Sequence, residues 1–447
     1  MKILFLEVHH EREWAVASIG PAFLASFVRA ANHEAELLHV TLDMSEEEIA
    51  TAVQACAPDI LGLSLTSRQW LRARSVVAAL RQRVDIPVIT GGLHPTFAPI
   101  RVLESPGFDY VCLGEGEEAL VDVLDVLQSG KRIEDSNLPN IYCQGGTRPR
   151  LRPPFEPIDS LPNMARDMLN ERHGVTHMVT QRGCPFPCTY CAARKFHDLY
   201  GGIGSYGRRR SHQNVLDEIE TLADTSNVSY ITFLDDTFTL APTWVSEFCA
   251  QYEEQFSIPF SLHARAETVN PKMLAELANA GCKHITYGVE SGSERVRKDI
   301  MKRVVSNEHL LQVFRQTQEE GILVTANYIL GTPGETCEEI QQTIDLHHQL
   351  KPDDFGYFVF YPYPGTAMFH TCQEKGYLPD DYWERPANHR ETILNLPCGV
   401  TKEDITRFYE AFTKVREESY LNRFGQTMNS TDKSTLHTQH HESAQQG

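Results

Sequence analysis

The sequence predicts an α/β protein in which an N-terminal doubly wound (Rossmann- or flavodoxin-like) parallel sheet precedes a partial (β/α)6 TIM-like barrel and a small helical C-terminal region. Two stretches of alternating strand-like and helix-like patterns predict the sheets, because parallel neighbours need crossover connections. A segment rich in Pro, Gly and Arg, without a clear period, separates them. We therefore expect the first sheet at 1–130, a linker at 131–172, the barrel at 173–368, helices at 369–424 and a disordered tail at 425–447.

In the first stretch, five short apolar runs alternate with helix-like segments. The predicted strands are Lys2–Glu7, Glu34–Val40, Pro58–Leu65, Pro87–Gly92 and Tyr110–Gly114. The predicted helices are Ile19–Ala31, Glu46–Ala55, Arg68–Arg83, Pro99–Glu104 and Glu117–Leu127. Because each helix returns the chain to the edge where the preceding strand began, all five strands are expected to run parallel.

The carboxyl ends of the last three of these strands are small, polar and rich in glycine. They are Ser64-Leu65-Thr66-Ser67, Gly91-Gly92-Leu93-His94 and Gly114-Glu115-Gly116-Glu117. Since ligands of open parallel sheets bind at this edge, the pattern predicts a ligand site. The first strand is not followed by G-x-G-x-x-G, which argues against a dinucleotide. The alternative is that these glycines only shape tight turns.

In the second stretch, six apolar runs predict the strands of the barrel. They are Val175–Gln181, Ser229–Asp235, Phe260–Ala266, His284–Glu290, Leu323–Leu330 and Phe355–Tyr361. Asn270-Pro271 and Gly281 predict the start and end of one helix, and Thr336 with Glu339 predicts a capping box on another. Six units are fewer than the eight that close a barrel, so we expect an open one. The C-terminal helices are expected to pack over its mouth.

Composition narrows the class of protein. The chain has 447 residues, with 41 Lys and Arg against 60 Asp and Glu, and its net charge of −19 disfavours a nucleic-acid partner. It contains no apolar run near the roughly 18 residues of a membrane span, and Met1–Leu6 lacks the features of a signal peptide. Its 11 cysteines, an odd number, favour free thiols. We expect a cytoplasmic enzyme without a membrane span.

Three cysteines form a C-x3-C-x2-C group directly after the first barrel strand. Cys184, Cys188 and Cys191 therefore lie at the face where β/α barrels carry their chemistry. Three thiolates on one loop suit a 4Fe-4S cluster whose fourth iron has no protein ligand, which leaves a coordination position open for substrate chemistry. A structural zinc site needs four ligands, usually in two separated pairs. A plain electron-transfer cluster needs a fourth cysteine, which would have to come from a distant part of the chain.

The cysteine group, with Tyr190 before its last member, resembles the signature of the radical S-adenosylmethionine (SAM) superfamily. Seven further segments resemble motifs of the subgroup with an N-terminal cobalamin-binding domain: Phe233–Thr239, Leu262–Glu267, Tyr287–Ser293, Ile329–Thr336, Tyr361–Thr366, Gly91–Thr96 and Leu113–Glu117. The resemblance implies a 4Fe-4S cluster, SAM and cobalamin as cofactors. In this superfamily, reductive cleavage of SAM gives a 5′-deoxyadenosyl radical that abstracts hydrogen from an unactivated C–H bond.

The resemblance also implies a set of SAM contacts: Tyr190, Asp235, Asp236, Arg265, Glu290, Ser291 and Gly331. Asp235 or Asp236 suits the ammonium group, and Arg265 suits the carboxylate. Glu290 and Ser291 suit the ribose or the methionine end, and the remaining tyrosine and glycine suit the adenine. The alternatives are a helix N-cap role for either aspartate and a mutual ion pair between Arg265 and Glu290.

For cobalamin, the resemblance points to the glycine-rich strand ends: Ser64, Thr66, Gly91, Gly92, His94, Gly114, Glu115, Gly116 and Glu117. The sequence lacks the D-x-H-x-x-G motif that supplies an axial histidine in many cobalamin proteins. His94 either contacts the corrin or its tail or braces the loop that carries it.

The function implied by the resemblance is a cobalamin-dependent radical SAM enzyme that methylates an unactivated carbon of a small molecule. It would use an external one-electron reductant such as flavodoxin or ferredoxin. The alternatives are a non-methylating oxidative cyclase or rearrangement enzyme and, in another class, a cobalamin or cluster sensor. The sequence identifies no catalytic acid or base. Four aromatic residues either line a substrate pocket or belong to the core: Tyr357, Tyr361, Tyr363 and Trp383.

Overall fold

Two six-stranded sheets organise the chain in this computed structural model. The structure describes residues 1–11, 18–169, 171, 173–396 and 400–424. The tail predicted at 425–447 lies outside the described residues. The first and last residues of the other predicted domains remain predictions. No helix within the described ranges is both long and apolar enough to cross a lipid bilayer.

The N-terminal half alternates strands with helices, as the sequence predicts. Its strands are β1 (Lys2–Val8), β2 (Glu34–Val40), β3 (Ile60–Ser64), β4 (Val88–Gly91), β5 (Tyr110–Cys112) and β6 (Ile141–Cys143). Its helices are α1 (Ile19–Ala30), α2 (Glu46–Cys56), α3 (Ser67–Leu80), α4 (Leu93–Phe97), α5 (Pro99–Leu103) and α6 (Glu117–Gln128).

The strand order of this sheet is β2-β1-β3-β4-β5-β6. The first five strands are parallel, which confirms the doubly wound fold, but β6 pairs antiparallel with β5. Ile141–Cys143, in the segment predicted to link the two domains, is therefore the sixth strand of this sheet. A three-residue strand is too short to show a period, yet it supplies backbone partners to β5, which would otherwise be the sheet edge.

Helices cover both faces of this sheet, and each face has its own apolar core. Trp70 and Val77 of α3 pack on one face, while Val28 of α1 and Leu124 of α6 pack on the other. All but one of the seven residues of β1 are buried for the same reason. The sheet is thus closed on both faces, and its carboxyl edge is left for ligands.

The C-terminal half begins with the strands of the barrel. They are β7 (Val175–Met178), β10 (Tyr230–Phe233), β11 (Phe260–Ala264), β12 (Cys282–Glu290), β13 (Leu323–Leu330) and β14 (Asp354–Val359), with a small ribbon of β8 (Gln181–Arg182) and β9 (Arg208–Arg209). The helices are α7 (Ala192–Leu199), α8 (His212–Thr225), α9 (Pro242–Gln255), α10 (Pro271–Asn279), α11 (Asn307–Glu319), α12 (Cys337–Leu350), α13 (Ala367–Glu374) and α14 (Lys402–Phe424).

The six barrel strands are parallel and follow chain order, from β7 at one edge through β10, β11, β12 and β13 to β14 at the other. The two edges do not pair with each other, which confirms the open barrel. The Asn270 side chain caps α10 with Pro271 in its first turn, and Thr336 and Glu339 form the predicted capping box on α12.

The C-terminal helix α14 does not cover the barrel mouth, contrary to expectation. Ile405, Phe408 and Phe412 join the barrel core, and the helix packs beside β14 and α12. An open barrel leaves apolar surface at its edge strand, and an amphipathic helix buries that surface. The extended segment between α13 and α14 reaches the mouth instead, where the Val359 amide donates to the His389 carbonyl (2.7 Å).

A buried group of charges joins the two halves of the chain. Glu115 accepts hydrogen bonds from Arg182 (3.1 Å), from Arg208 (3.0 Å) and from the Phe155 amide (2.8 Å), and Glu117 accepts one from Arg182 (2.5 Å). Burial opposes ionisation of Glu115, but the Arg208 hydrogen bond and the Arg182 charge hold its pKa below the usual value. The carboxyl end of β5 is therefore fixed to β8 and β9.

We predict that Arg208→Ala lowers the free energy of unfolding by about 3 kcal/mol, because Glu115 stays buried without its main partner. Guanidinium denaturation followed by circular dichroism measures the loss. Arg315→Ala is the control, since Arg315 and Glu319 form an exposed pair whose removal changes stability by less than about 1 kcal/mol. Equal losses in the two variants would contradict the prediction.

Candidate functional site

The barrel holds a cavity of about 330 Å³ at the carboxyl ends of its strands. Side chains that point into the barrel from four adjacent strands line this cavity: His263 on β11, Thr286 on β12, Asn327 on β13 and Phe358 on β14. Side chains at these positions fill the interior of a closed eight-stranded barrel. Here they leave a space within the range of about 300–1,000 Å³ that is typical of small-molecule sites.

The three cysteines line this cavity on the loop that joins β8 to α7. Gly183 begins the loop with a φ of +86°, and a side chain there would collide with the Tyr206 carbonyl oxygen. Thr189 holds the middle of the loop, because its hydroxyl donates to the Ile300 carbonyl (2.7 Å). Cys191 is the N-cap residue of α7. The loop is therefore held at its start, middle and end.

Polar and aromatic groups surround the cysteine sulfurs. The Arg265 guanidinium donates to the Sγ atom of Cys188 (3.1 Å) and lies 3.8 Å above the ring centre of Phe186. The Sγ atom of Cys184 lies 3.8 Å from the Thr237 hydroxyl. All three cysteines are free thiols, and no three Cys, His, Asp or Glu side chains in the described part of the chain are grouped to hold a single metal ion.

This donor set fits the cluster that the sequence predicts. One eight-residue loop supplies three thiols, and all three are on the wall of one cavity. Thiolates are the usual protein ligands of iron–sulfur clusters. Cys184, Cys188 and Cys191 would hold three irons, and the fourth would be available to a ligand in the cavity.

Four of the residues predicted to contact SAM line the cavity: Tyr190, Asp236, Arg265 and Glu290. The Asp236 carboxylate has no ion-pair partner among the described residues, and burial raises its pKa. Burial also raises the pKa of Glu290, although the Arg303 charge opposes this. A cationic group in the cavity would therefore meet the Asp236 carboxylate, which has no positive partner of its own in the described part of the chain.

Arg265 and Glu290 do not form the direct pair considered as an alternative. Glu267 accepts from Arg265 (2.6 Å) and from Arg303 (2.9 Å), and Arg303 contacts Glu290 (3.3 Å). Burial opposes ionisation of Glu267, but the Arg303 charge holds its pKa below the usual value. The charged Glu267 thus orients two arginines on the cavity wall.

The other predicted SAM residues, Asp235, Ser291 and Gly331, are not on the cavity wall. Asp235 accepts from the amides of Thr180 and Gln181 (2.8 Å each) and from the Thr180 hydroxyl. Burial raises its pKa to about 6. This carboxylate braces the chain that leads into the cysteine loop.

Ser291 and Gly331 belong to a second brace, which is centred on Glu335. The Glu335 carboxylate accepts from the amides of Gly331 (2.8 Å) and Thr332 (3.0 Å) and from the Ser291 hydroxyl (3.3 Å). Burial raises the pKa of Glu335 to about 7, despite these hydrogen bonds. The brace fixes the turns that follow β12 and β13.

The glycine-rich strand ends of the first sheet surround a small pocket of about 50 Å³. Of the residues predicted to bind cobalamin, its walls include Ser64, Gly91, Gly92, Gly114 and Gly116. The other walls are mainly apolar, with Phe5, Leu24 and Ile89 among them. No charged side chain of the described residues is in this lining, which fits an apolar part of a ligand such as cobalamin.

The remaining predicted cobalamin residues have protein partners. Thr66 caps α3, and Glu115 and Glu117 pair with Arg182 as described above. The Nδ1 atom of His94 lies 3.0 Å from the Ser67 hydroxyl, and its ring stacks on Trp70 at 4.9 Å. Burial lowers the pKa of His94 to about 3. His94 thus braces its loop through Nδ1 and the stacked ring, while its Nε2 atom is buried without a hydrogen-bond partner among the described residues.

Several cavity residues escaped the sequence analysis. Asn327 was detectable, since it lies at an inward position of a strand with alternating burial. Arg303 and His389 follow irregular segments, and no spacing rule identifies them. Of the four candidate aromatic residues, Tyr361 and Tyr363 line the cavity. Tyr357 packs against α14, and Trp383 packs against His94.

Two protein families match the chain. Residues 178–347 match the radical SAM superfamily, and residues 11–124 match the B12 binding domain. The first range contains the cysteine loop and most of the barrel. The second contains the glycine-rich strand ends of the N-terminal sheet.

Curated relatives cover most of the chain at low identity. An uncharacterized methyltransferase of Pyrococcus horikoshii is 28% identical over 82% of this chain and 81% of its own length. The anaerobic magnesium-protoporphyrin IX monomethyl ester cyclase of Rubrivivax gelatinosus is 24% identical over 84% and 70%. Cytidylyl-2-hydroxyethylphosphonate methyltransferase of Streptomyces wedmorensis is 23% identical over 84% and 79%.

Solved structures share the fold. The radical SAM methyltransferase TsrM of Kitasatospora setae, with cobalamin and a 4Fe-4S cluster bound, has a TM-score of 0.68 at 18% identity over 84% of this chain and 75% of its own. The cobalamin-dependent SAM radical enzyme OxsB, with aqua-cobalamin and SAM bound, has a TM-score of 0.73 at 16% identity over 99% and 70%.

We predict that Glu335→Gln flattens the pH dependence of stability between pH 5 and 8. The pKa of Glu335 is about 7 in the folded state and 4.5 in the unfolded state, so the folded protein binds a proton at Glu335 more tightly. The protonated carboxyl therefore stabilises the fold fully below pH 4.5, and this stabilisation is lost as the pH rises through 7. At about 1.4 kcal/mol per pKa unit, it amounts to about 3 kcal/mol. Urea denaturation at each pH measures it. The prediction is wrong if the free energy of unfolding depends on pH in the same way in the wild type and in Glu335→Gln. Glu319→Gln, which changes an exposed glutamate, is the control.

Proposed function

We propose that the chain, which matches the radical SAM superfamily over residues 178–347 and the B12 binding domain over residues 11–124, is a cobalamin-dependent radical SAM enzyme that methylates an unactivated carbon of a small molecule. One observation carries the proposal: three free cysteines on a single loop line a barrel cavity of about 330 Å³ that is also lined by Asp236, Arg265 and Glu290.

The cavity residues suit the parts of SAM by charge. Asp236 accepts hydrogen bonds from the ammonium group, and Arg265, held by Glu267, pairs with the carboxylate. Glu290 accepts hydrogen bonds from the ribose hydroxyls, and Tyr190 offers an aromatic face to the adenine. When bound, the cluster, SAM and cobalamin would together supply a 5′-deoxyadenosyl radical and a transferable methyl group. The chain itself binds, orients and excludes water.

Methyl transfer is supported by the names of relatives, since those from Pyrococcus horikoshii and Streptomyces wedmorensis and the structural neighbour TsrM are all methyltransferases. The Rubrivivax gelatinosus cyclase supports the second candidate, a non-methylating oxidative cyclase. A small-molecule substrate is in keeping with the cavity volume and with TsrM, which binds tryptophan. The proposed chemistry requires an external one-electron reductant such as flavodoxin or ferredoxin.

The decisive experiment measures 5′-deoxyadenosine released from SAM by anaerobically reconstituted protein with a chemical reductant. We expect release by the wild type and loss of it, by at least about a hundredfold, in Cys184→Ala, Cys188→Ala and Cys191→Ala, because each variant removes a cluster ligand. Cys56→Ser, which changes a distant free cysteine, should be unaffected. The absorption spectrum of the same protein tests for a corrinoid.

The outcomes separate the candidates. S-adenosylhomocysteine formed beside 5′-deoxyadenosine favours methylation, and its absence during substrate turnover favours the cyclase. A wild-type protein that binds cobalamin and the 4Fe-4S cluster yet releases no 5′-deoxyadenosine would be a sensor, and the proposal would be wrong.

We further predict that Asp236→Asn weakens SAM binding about tenfold or more, because it removes the charge from a hydrogen bond to the SAM ammonium group. Equilibrium dialysis of radiolabelled SAM against the reconstituted protein measures the dissociation constant. Asp217→Asn, on the exposed side of α8, is the matched control. An unchanged dissociation constant in Asp236→Asn would remove this residue from the proposed site.

A further inference from the structure

One wall of the cavity carries a tyrosine–histidine pair that the proposed function leaves unused. The Tyr363 hydroxyl and the Nε2 atom of His389 are 2.5 Å apart, and both residues line the cavity. Tyr363 follows β14, and His389 comes from the extended segment before α14. The hydrogen bond from the Val359 amide to the His389 carbonyl fixes this segment beside β14.

The protonation of the pair follows from its geometry. A phenol is more acidic than a neutral imidazole N–H, so Tyr363 donates and Nε2 of His389 accepts. Burial and the nearby charge of Arg68 lower the pKa of His389 to about 4, so the ring is neutral at pH 7. A neutral imidazole that accepts at Nε2 carries its proton on Nδ1.

The Nδ1 atom of His389 is buried and has no hydrogen-bond partner among the described residues. The edge-on contact between its ring and Phe358, with centroids 5.5 Å apart, helps to fix the ring orientation. A buried donor without an acceptor is unfavourable, and such groups in native proteins usually await a ligand or a water molecule. His389 lines the cavity, and a ligand that reaches Nδ1 from there would supply the acceptor.

The pair also lies where the two halves of the chain meet. Arg68, whose charge acts on both His389 and Tyr363, is in the first turn of α3, the helix that follows the polar carboxyl end of β3. A substrate that receives a methyl group has to lie close to both SAM and cobalamin. Its reacting carbon has to come within about 3–3.5 Å of the atom with which it reacts. The Tyr363–His389 pair therefore lies in the region that such a substrate would occupy.

We propose that His389, oriented by Tyr363, donates its Nδ1 proton in a hydrogen bond to an oxygen acceptor of the substrate. The acceptor is a carbonyl, carboxylate or phosphate oxygen, and Phe358, Phe360 and Tyr361 pack against the apolar part of the same molecule. The identification of this ligand as the substrate rests on the proposed function.

Binding of small aromatic probes tests the assignment. Benzoate, phenyl phosphate and acetophenone present the three acceptors on one ring, and toluene presents none. Each is titrated by ligand-observed NMR into SAM-loaded, reconstituted protein. The variants are His389→Leu, which removes the donor, His389→Asn, which keeps an amide N–H near the Nδ1 position, and Tyr363→Phe. His348→Leu changes an exposed histidine as the control.

We expect at least one oxygen-bearing probe to bind about tenfold more weakly to His389→Leu and Tyr363→Phe, with binding retained in His389→Asn and His348→Leu. Toluene should not distinguish the proteins. Equal affinity of the wild type and His389→Leu for all three probes, including undetectable binding to both, overturns the assignment.

Release of 5′-deoxyadenosine without substrate separates this inference from the proposed function. A wild type that releases none, yet binds the probes through His389, would refute the function and leave the binding site standing.

Discussion

The buried charges of Glu115, Glu117, Arg182 and Arg208 set the relation between the two candidate sites. Glu115 and Glu117 follow β5 at the carboxyl edge of the first sheet, and Arg182 ends β8 directly before Gly183 and the cysteine loop. One group of ion pairs therefore holds the carboxyl edge of the N-terminal sheet against the start of the cysteine loop of the barrel. A buried group of this kind is costly to break, because each unpaired charge would remain desolvated. Chemistry that needs two cofactors at a fixed separation depends on such a constraint.

Within the barrel, buried carboxylates hold the turns around the cavity. Asp235 braces the chain before the cysteine loop, Glu335 braces the turns after β12 and β13, and Glu267 orients two arginines. The first two have raised pKa values because burial disfavours their charged form, whereas Glu267 remains charged because arginines surround it. The barrel thus loses some stability to desolvation in return for turns of defined shape. Residues that touch the ligand can then be few, since the shape of the site is set behind them.

Features coded by short spacing could be predicted from the sequence, and features that depend on distant partners could not. The cysteine group, the strand alternation and the caps at Asn270 and Thr336 are local patterns. By contrast, Glu115 follows a strand at a ligand edge, as a cobalamin contact would, but its partner Arg182 lies 67 residues later. Asp235 and Asp236 are adjacent in sequence, yet one faces a backbone turn and the other the cavity. Which aspartate does which depends on the direction of the chain after β10, and no spacing rule specifies that.

The open barrel also explains why the fold does not specify the substrate. With six strands, β14 and β7 do not pair with each other, and the wall beside β14 is built from α14 and from the irregular segment that carries His389. Strands are constrained by their ladders, whereas an irregular segment tolerates changes of length and sequence. The cysteine loop and the carboxylate braces belong to the strand ends, so the chemistry they support can stay constant while this segment varies. The similar proteins include TsrM with tryptophan bound, a phosphonate methyltransferase and a porphyrin ester cyclase, which differ in the molecule that their names give. In this chain, the irregular wall brings His389 to the cavity beside Tyr363.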